Sequence, residues 1–382
     1  MSAIKHVNVI NDARGEWWSI YQADCVSFQR QLPDECIDFS IHSPPFANLY
    51  TYSDALNDMG NCVDDKQFFE QYRFLVREKL RTTRPGRLCA VHCKQLVDYR
   101  GRDGRAGLRD FRGEIIRVYE EAGWKYHSEV TIWTDPVLER ARTNAHGLLY
   151  KQLRADSSFS RQGLAEYVCV FRKWADDDDS SVIPVTHTED SFTLNEWQQI
   201  ASPVWVLKDG SREAADKLPF TVPVEDIRRT DVLNVAQARE DKDEKHMCPL
   251  QLSVIERAVR LWSNPGDVVQ SDFAGIGSEG VGAMRVRDGL GIRRPRRFIG
   301  TELKESYFNT AVKNLKATEP DGAGQTVNLF DWLQAKKEAP APAVDASAAP
   351  APAVDASPVA PAETPSPTRS PRARRSKKST TT

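Results

Sequence analysis

Along this chain, short runs rich in β-branched and aromatic residues alternate with stretches whose apolar positions recur at helical spacing. Ile37–Ile41, Arg87–His92, Ser128–Trp133, Tyr167–Phe171, Asp267–Phe273 and Phe298–Glu302 predict strands. Lys66–Thr82 predicts a helix, because Phe69, Tyr72, Leu75, Val76 and Leu80 fall on one stripe. Gly113–Glu121, Leu250–Trp262 and Tyr307–Leu315 predict three more. Strands alternating with helices predict an α/β fold, a mainly parallel sheet with helices on both faces. In such sheets ligands bind at the carboxyl ends of the strands.

The pattern breaks in two places. Asp176–Asp179 is an unbroken acidic run, which self-repulsion keeps solvated in a surface loop. Residues 180–230, with scattered Pro and Trp, read as an irregular insertion. From about Lys336 the chain becomes Ala, Pro, Ser and Thr, with an imperfect repeat in Ala341–Ser347 and Ala351–Ser357. Such a segment buries too little apolar surface to offset chain entropy and is expected to be disordered. Its basic tip, from Arg369 to Lys378, suits a solubilising tail or a tether on nucleic-acid phosphates. The breaks divide the chain into residues 1–175, 176–244, 245–335 and 336–382.

Composition narrows the function classes. Hydrophobic residues make up 40% of the chain, enough for a large core. Lys and Arg number 52 against 54 Asp and Glu, for a net charge of −2, which excludes a uniformly basic coat but not local basic patches. There is no apolar run of transmembrane length, and Met1–His6 lacks the apolar core of a signal peptide. The 7 cysteines are scattered and form no disulfide framework. A cytoplasmic location, away from membranes, is expected.

Two loops at predicted strand ends carry the chemistry. Ser271–Gly280 follows a strand opened by the turn Asn264–Asp267, and Gly275 and Gly277 let its backbone turn tightly and approach a ligand. Glu302 ends the next strand, where a carboxylate suits ribose hydroxyls. With Gly280 the pattern matches a dinucleotide fingerprint, so a nucleoside-containing cofactor is expected. The second loop, Ser43-Pro44-Pro45-Phe46, follows the strand of Ile37–Ile41. Its prolines fix an extended turn and leave carbonyls free to accept hydrogen bonds. An exocyclic amine on a nucleobase is a poor nucleophile, because its lone pair is delocalised into the ring. Hydrogen bonds accepted by the Ser43 hydroxyl and the Pro44 carbonyl would direct that lone pair toward a methyl donor, with Phe46 stacking on an extruded base.

Together these loops resemble the DNA amino-methyltransferases that methylate cytosine N4 or adenine N6. Members carry an [Asp/Asn/Ser]-Pro-Pro-[Tyr/Phe/Trp] loop and a Phe-x-Gly-x-Gly loop, here Ser43–Phe46 and Phe273–Gly277. The catalytic loop comes first, which resembles the β-type permutation with its target-recognition region between the two. The likeness covers most of residues 17–318. Ala23-Asp24-Cys25 is similar to the opening strand and helix, Pro249-Leu250-Gln251 to the cofactor-closing segment, and Ser43–Leu49 with Met59-Gly60-Asn61 to phage-encoded members. In one departure, Ser271-Asp272-Phe273 stands where the family usually has Asp-Pro-Phe.

The resemblance implies a Rossmann-like S-adenosylmethionine-dependent methyltransferase fold with permuted motif order. It implies catalysis by Ser43, Pro44, Pro45 and Phe46. S-adenosylmethionine would be held by Asp24, Pro249, Asp272 and Phe273, with Ala274, Gly275, Gly277 and Glu302. Double-stranded DNA is the implied partner, and Arg102, Arg105, Arg109 and Arg142, from two basic stretches, are expected to meet its phosphates. The location becomes the cytoplasm of a bacterium or a phage-infected cell. Serine in the first loop position is more typical of cytosine-N4 enzymes, so that base is favoured over adenine N6. Cytosine C5 chemistry fits poorly, since the chain has no Pro-Cys dipeptide. No metal is expected: Cys89-Ala-Val-His92-Cys93 lies in a strand pattern and reads as buried packing. An NAD-dependent oxidoreductase, a protein glutamine methyltransferase and a non-catalytic DNA-binding protein are the other classes. Each leaves part of the two-loop pattern unexplained.

Overall fold

Ile37–His42 has every residue buried, as expected of a strand covered on both faces in the middle of a parallel sheet. The fold is a computed structural model that describes residues 9–45, 59–134, 136–143, 150–176, 180–208, 227–234, 250–320 and 332–333. In chain order the first part holds β1 (Asn11–Arg14), β2 (Trp18–Gln22), α1 (Cys25–Gln29), β3 (Ile37–His42), α2 (Asp65–Thr82) and β4 (Thr83–Lys94). There follow β5 (Leu96–Asp98), α3 (Arg100–Asp103), β6 (Gly107–Arg109), α4 (Phe111–Glu121), β7 (Lys125–Thr134), α5 (Pro136–Thr143), α6 (Gln152–Ala155) and β8 (Glu166–Arg172). The last part holds α7 (Leu194–Ile200), β9 (Val204–Lys208), β10 (Ile227–Arg228), α8 (Leu252–Trp262), β11 (Val268–Ser271), α9 (Ser278–Arg285), β12 (Arg297–Glu302) and α10 (Glu305–Thr318).

One sheet of 10 strands runs in the order β1-β2-β12-β11-β3-β4-β8-β7-β9-β10. From β2 to β4 the neighbours are parallel; β8 runs antiparallel to both β4 and β7. The six predicted strands and four predicted helices are all present. β9 pairs in parallel with β7, and β10 with β9, so part of the segment read as an irregular insertion extends the sheet instead. β2, which no residue pattern predicted although the resemblance implied an opening strand beside Ala23, is wholly buried and lies parallel to β12.

Strand alternation divides the core between the two faces. Phe39, Ile41 and Val269 pack with Ile255, Val259, Met284 and Phe308 of α8, α9 and α10. Cys89, Val91 and Phe171 pack on the other face with Phe68, Tyr72, Val76 and Tyr119 of α2 and α4. α2 is started by Asp64, whose side chain accepts from the Gln67 amide, and buries the stripe Phe68, Phe69, Tyr72, Leu75 and Val76. Lys79 continues that buried stripe. None of the described helices is long and apolar enough to cross a membrane.

β11 and β3 are neighbours, but the chain leaves β11 for β12 on one side and β3 for β4 on the other. Their carboxyl ends therefore border the crevice at which such sheets bind ligands. The chain divides into two units, Met1–Pro340 and Ala341–Thr382; the second, with the predicted disordered tail, lies outside the described residues.

Candidate active site

β11 delivers its chain into Asp272–Gly277, which turns sharply before α9. Gly275 and Gly277 have φ of 52° and 89°, left-handed values that a side chain strains. A Cβ on Gly277 would lie 3.3 Å from the backbone of Ala311 in α10, so that turn is pressed against a helix. A Cβ on Gly275 would meet nothing within 4 Å, so this part of the backbone is open to approach. The Ala274 amide donates to the Thr301 carbonyl at 2.9 Å, tying the loop to β12. At the end of β12, the two oxygens of Glu302 accept from the amides of Gly275 and Lys304, at 2.8 and 2.9 Å. At the end of β11 and the start of α9, the buried Ser271 and Ser278 hydroxyls and Asp272 Oδ1 have no hydrogen-bond partner. Open glycine backbone, a strand-end carboxylate and unengaged hydroxyls form a donor and acceptor set that fits the ribose and amino-acid parts of S-adenosylmethionine.

Glu279 in the first turn of α9 is 4% exposed. Burial pushes its carboxyl up to about 8; the neighbouring charge of Glu302 adds to this, while a hydrogen bond to its own backbone opposes it. The group is therefore protonated in the folded chain at neutral pH and ionised in the unfolded chain above its ordinary 4.5. Above that value the unfolded state binds fewer protons, so stability falls as pH rises and the loss levels off above pH 8. Glu279→Gln should remove this dependence, gaining about 2 kcal/mol on the parent between pH 6 and pH 8. Urea unfolding at the two pH values measures it, and parallel curves for parent and variant would disprove it.

Asp272, next in the loop, points away from it. Its Oδ2 is bonded to Lys79 Nζ of α2, with both side chains at 0% exposure, and lies 3.8 Å from His42 Nδ1. Burial, the largest single influence, would lower the Lys79 pKa, but the charge and hydrogen bond of Asp272, with Cys89 and Cys25, together outweigh it and the pKa is raised. His42 is held neutral, its pKa lowered by burial and by Lys79, and its Nε2 is 2.9 Å from the Tyr72 hydroxyl. The Phe273 ring covers His42 at a centroid distance of 5.7 Å. The glycine loop thus rests on a buried ion pair, and Asp272, expected to hold the cofactor, has its Oδ2 committed to Lys79.

The second loop begins where β3 ends. In the β3–β4 register His42 is opposite Val91, which brings the following residues, Ser43 and His92, together. Ser43 Oγ is 2.9 Å from His92 Nδ1. His92 Nε2 is 3.2 Å from Glu166 Oε2, contributed by the start of antiparallel β8. Burial pushes the Glu166 carboxyl up, but the hydrogen bond and charge of His92 and the cations Lys94 and Arg229 bring it down to about 2. Lys94 also binds Glu139 of α5 at 2.7 Å. Ser43, Pro44 and Pro45 are thus at the β3 end of the crevice; Phe46 lies outside the described residues.

The remaining expected residues divide. Asp24 caps α1 by accepting from the Ser27 amide at 2.8 Å, just after the Ala23 amide bonds the Glu302 carbonyl. Pro249 lies outside the described residues. Arg105 is exposed between α3 and β6. Arg109 is held by Asp65 and Asp98, at 2.9 and 3.0 Å, and braces the β5–β6 hairpin. Arg102 and Arg142 belong to α3 and α5, with side chains outside those described. His92, Glu166, Lys79 and Glu279 were not expected at the site.

A family model for DNA methylases, N6_N4_Mtase, matches residues 37–313. No curated protein matches the chain. Among solved structures, TTHA0409 from Thermus thermophilus, named a DNA modification methylase and solved with S-adenosyl-L-methionine, is 18% identical with a TM-score of 0.52, covering 78% of this chain and 93% of its own. The cytosine-N4-specific PvuII DNA methyltransferase is 13% identical with a TM-score of 0.50, covering 86% of this chain and 94% of its own. Likeness at this identity shows the fold, a mainly parallel sheet of the methyltransferase type. Since the family match spans both loops and the sheet between them, the chain belongs to the N6_N4_Mtase family of DNA methylases.

Proposed function

We propose that this protein transfers a methyl group from S-adenosylmethionine to the N4 amine of cytosine in double-stranded DNA. The observation that carries the reading is the position of Ser43. It begins the loop at the carboxyl end of β3, beside the strand that leads into the glycine loop, and its Oγ is oriented by a ring nitrogen 2.9 Å away. S-adenosylmethionine supplies the methyl group, with the carbon–sulfur bond breaking as the carbon–nitrogen bond forms. Glu302 and the Gly275 backbone hold the nucleoside end, and the Ser43 oxygen accepts a hydrogen bond from the target amine. The base must leave the duplex stack to reach the crevice. Serine as the first loop residue favours cytosine, and PvuII methyltransferase, of similar fold, is cytosine-N4-specific.

Purified protein incubated with S-adenosylmethionine and unmethylated DNA, followed by digestion to nucleosides and mass analysis, should yield N4-methylcytosine. N6-methyladenine would retain the amine chemistry and change the base. Neither product on DNA of varied sequence would overturn the reading.

A further inference from the structure

We propose that His92, held by Glu166, takes up through Ser43 the proton that the target amine must lose. The inference rests on the amine-methylation reading and adds to it a route for the proton and two residues, one on β4 and one on β8. Ionised Glu166 can only accept hydrogen bonds, so His92 Nε2 carries a proton, and in the neutral ring Nδ1 then presents a lone pair to Ser43. The Ser43 hydroxyl, 2.9 Å from Nδ1, therefore donates its hydrogen to the ring. Its oxygen lone pairs are left facing away from His92, as an acceptor for an amine N–H. A hydroxyl free to rotate could equally present its hydrogen to the amine and hold it less well.

The same chain completes the reaction. Once nitrogen has gained the methyl carbon it carries a positive charge. An N–H bond then breaks with its electron pair returning to nitrogen, and that proton passes to Ser43 Oγ as the Ser43 proton passes to His92 Nδ1. The imidazolium so formed faces the Glu166 carboxylate, and loss of one proton to water restores the neutral ring. Lys94 of β4 is 3.9 Å from Glu166 Oε1 and is itself bonded to Glu139 of α5, and Arg229 acts on Glu166 from beyond β10. Lys94 and Arg229 keep Glu166 ionised, and the partly buried Glu166 stabilises the imidazolium.

The full-length protein tests this with His92→Gln and Glu166→Gln. His92→Gln should lose about 10²–10³-fold in kcat, while the melting-temperature rise with S-adenosylhomocysteine stays as in the parent. Glu166→Gln should also lose rate, by less than His92→Gln, since a neutral amide neither fixes the ring nor stabilises the imidazolium as the carboxylate does. In the protein alone, nitrogen NMR of labelled histidines should show His92 as the Nε2–H tautomer, with its signals assigned by their loss in His92→Gln. A parent-like rate in His92→Gln, or an Nδ1–H tautomer, overturns the proposal. If the parent methylates no DNA the functional reading fails, and with it the catalytic role; the tautomer then judges the hydrogen-bonded chain by itself.

Discussion

Lys79→Met should destabilise the protein by roughly 3–5 kcal/mol, the cost of leaving one member of a buried ion pair alone. Both partners of the Lys79–Asp272 pair have 0% side-chain exposure, so no water replaces the lost ammonium. Asp272 would be left with neutral His42 as its nearest polar neighbour, and its Oδ1 already has no partner. The apolar face of α2 would stay intact, because methionine fills much the same volume beside Tyr72 and Val76. The melting temperature should therefore fall on the order of 10 °C. Asp272→Asn added to Lys79→Met should recover most of the loss, since a neutral amide can be buried far more cheaply than a carboxylate. Equal melting temperatures for the single and double variants would show that the charge is not the cause. The damage should also reach the cofactor loop, because the Thr301 hydroxyl donates to the Asp272 carbonyl at 2.8 Å and Ala274 bonds the same strand. A weaker response to S-adenosylhomocysteine in the single variant, restored in the double, would register that link.

This pair also marks the limit of what could be read from the residues. The stripe through Phe69, Tyr72 and Val76 predicted α2, but Lys79 continues it at helical spacing, and a charge at such a position reads as the edge of the solvated face. Its partner is 193 residues away in the chain, so no local pattern joins them. The glycine loop and Ser43–Pro45 were legible because their signals are local: turn residues at fixed offsets after an apolar strand. Glu302 was legible for the same reason. His92 was visible only as a polar residue in a strand, and its meaning depends on two registers, β3 with β4 and β4 with β8, that bring Ser43 and Glu166 to it. Position alone also could not show the partners of Arg109, since Asp65 and Asp98 become its neighbours only when the β5–β6 hairpin docks on α2. β2 was hidden for a different reason. Its Trp18 is buried, while Trp17 next to it takes the Arg297 guanidinium 5.0 Å over its ring, so the pair reads as packing, not as the start of a strand. β9 and β10 lie at the far edge of the sheet and are too short to show a period.

Glu302→Ala should weaken S-adenosylhomocysteine binding by about 10²–10³-fold, the scale of losing one or two hydrogen bonds to a charged acceptor. Glu302→Gln should be nearly as poor, although it keeps the shape and one oxygen. Both carboxylate oxygens face backbone N–H donors, Gly275 on one side and Lys304 on the other, at 2.8 and 2.9 Å. Whichever way the amide is turned, its NH2 meets one of those donors, and the glycine loop or the first turn toward α10 must shift. Isothermal titration of the parent and both variants measures the effect, and parent-like affinity in Glu302→Gln would show that only one oxygen matters. Removing the Glu302 charge has a second consequence, because that charge helps to hold the Glu279 carboxyl up. In Glu302→Ala the fall in stability with rising pH should therefore set in as before but level off at a lower pH than in the parent. The size of that change measures how strongly the two carboxyls interact across the mouth of the glycine loop, apart from any effect on the cofactor.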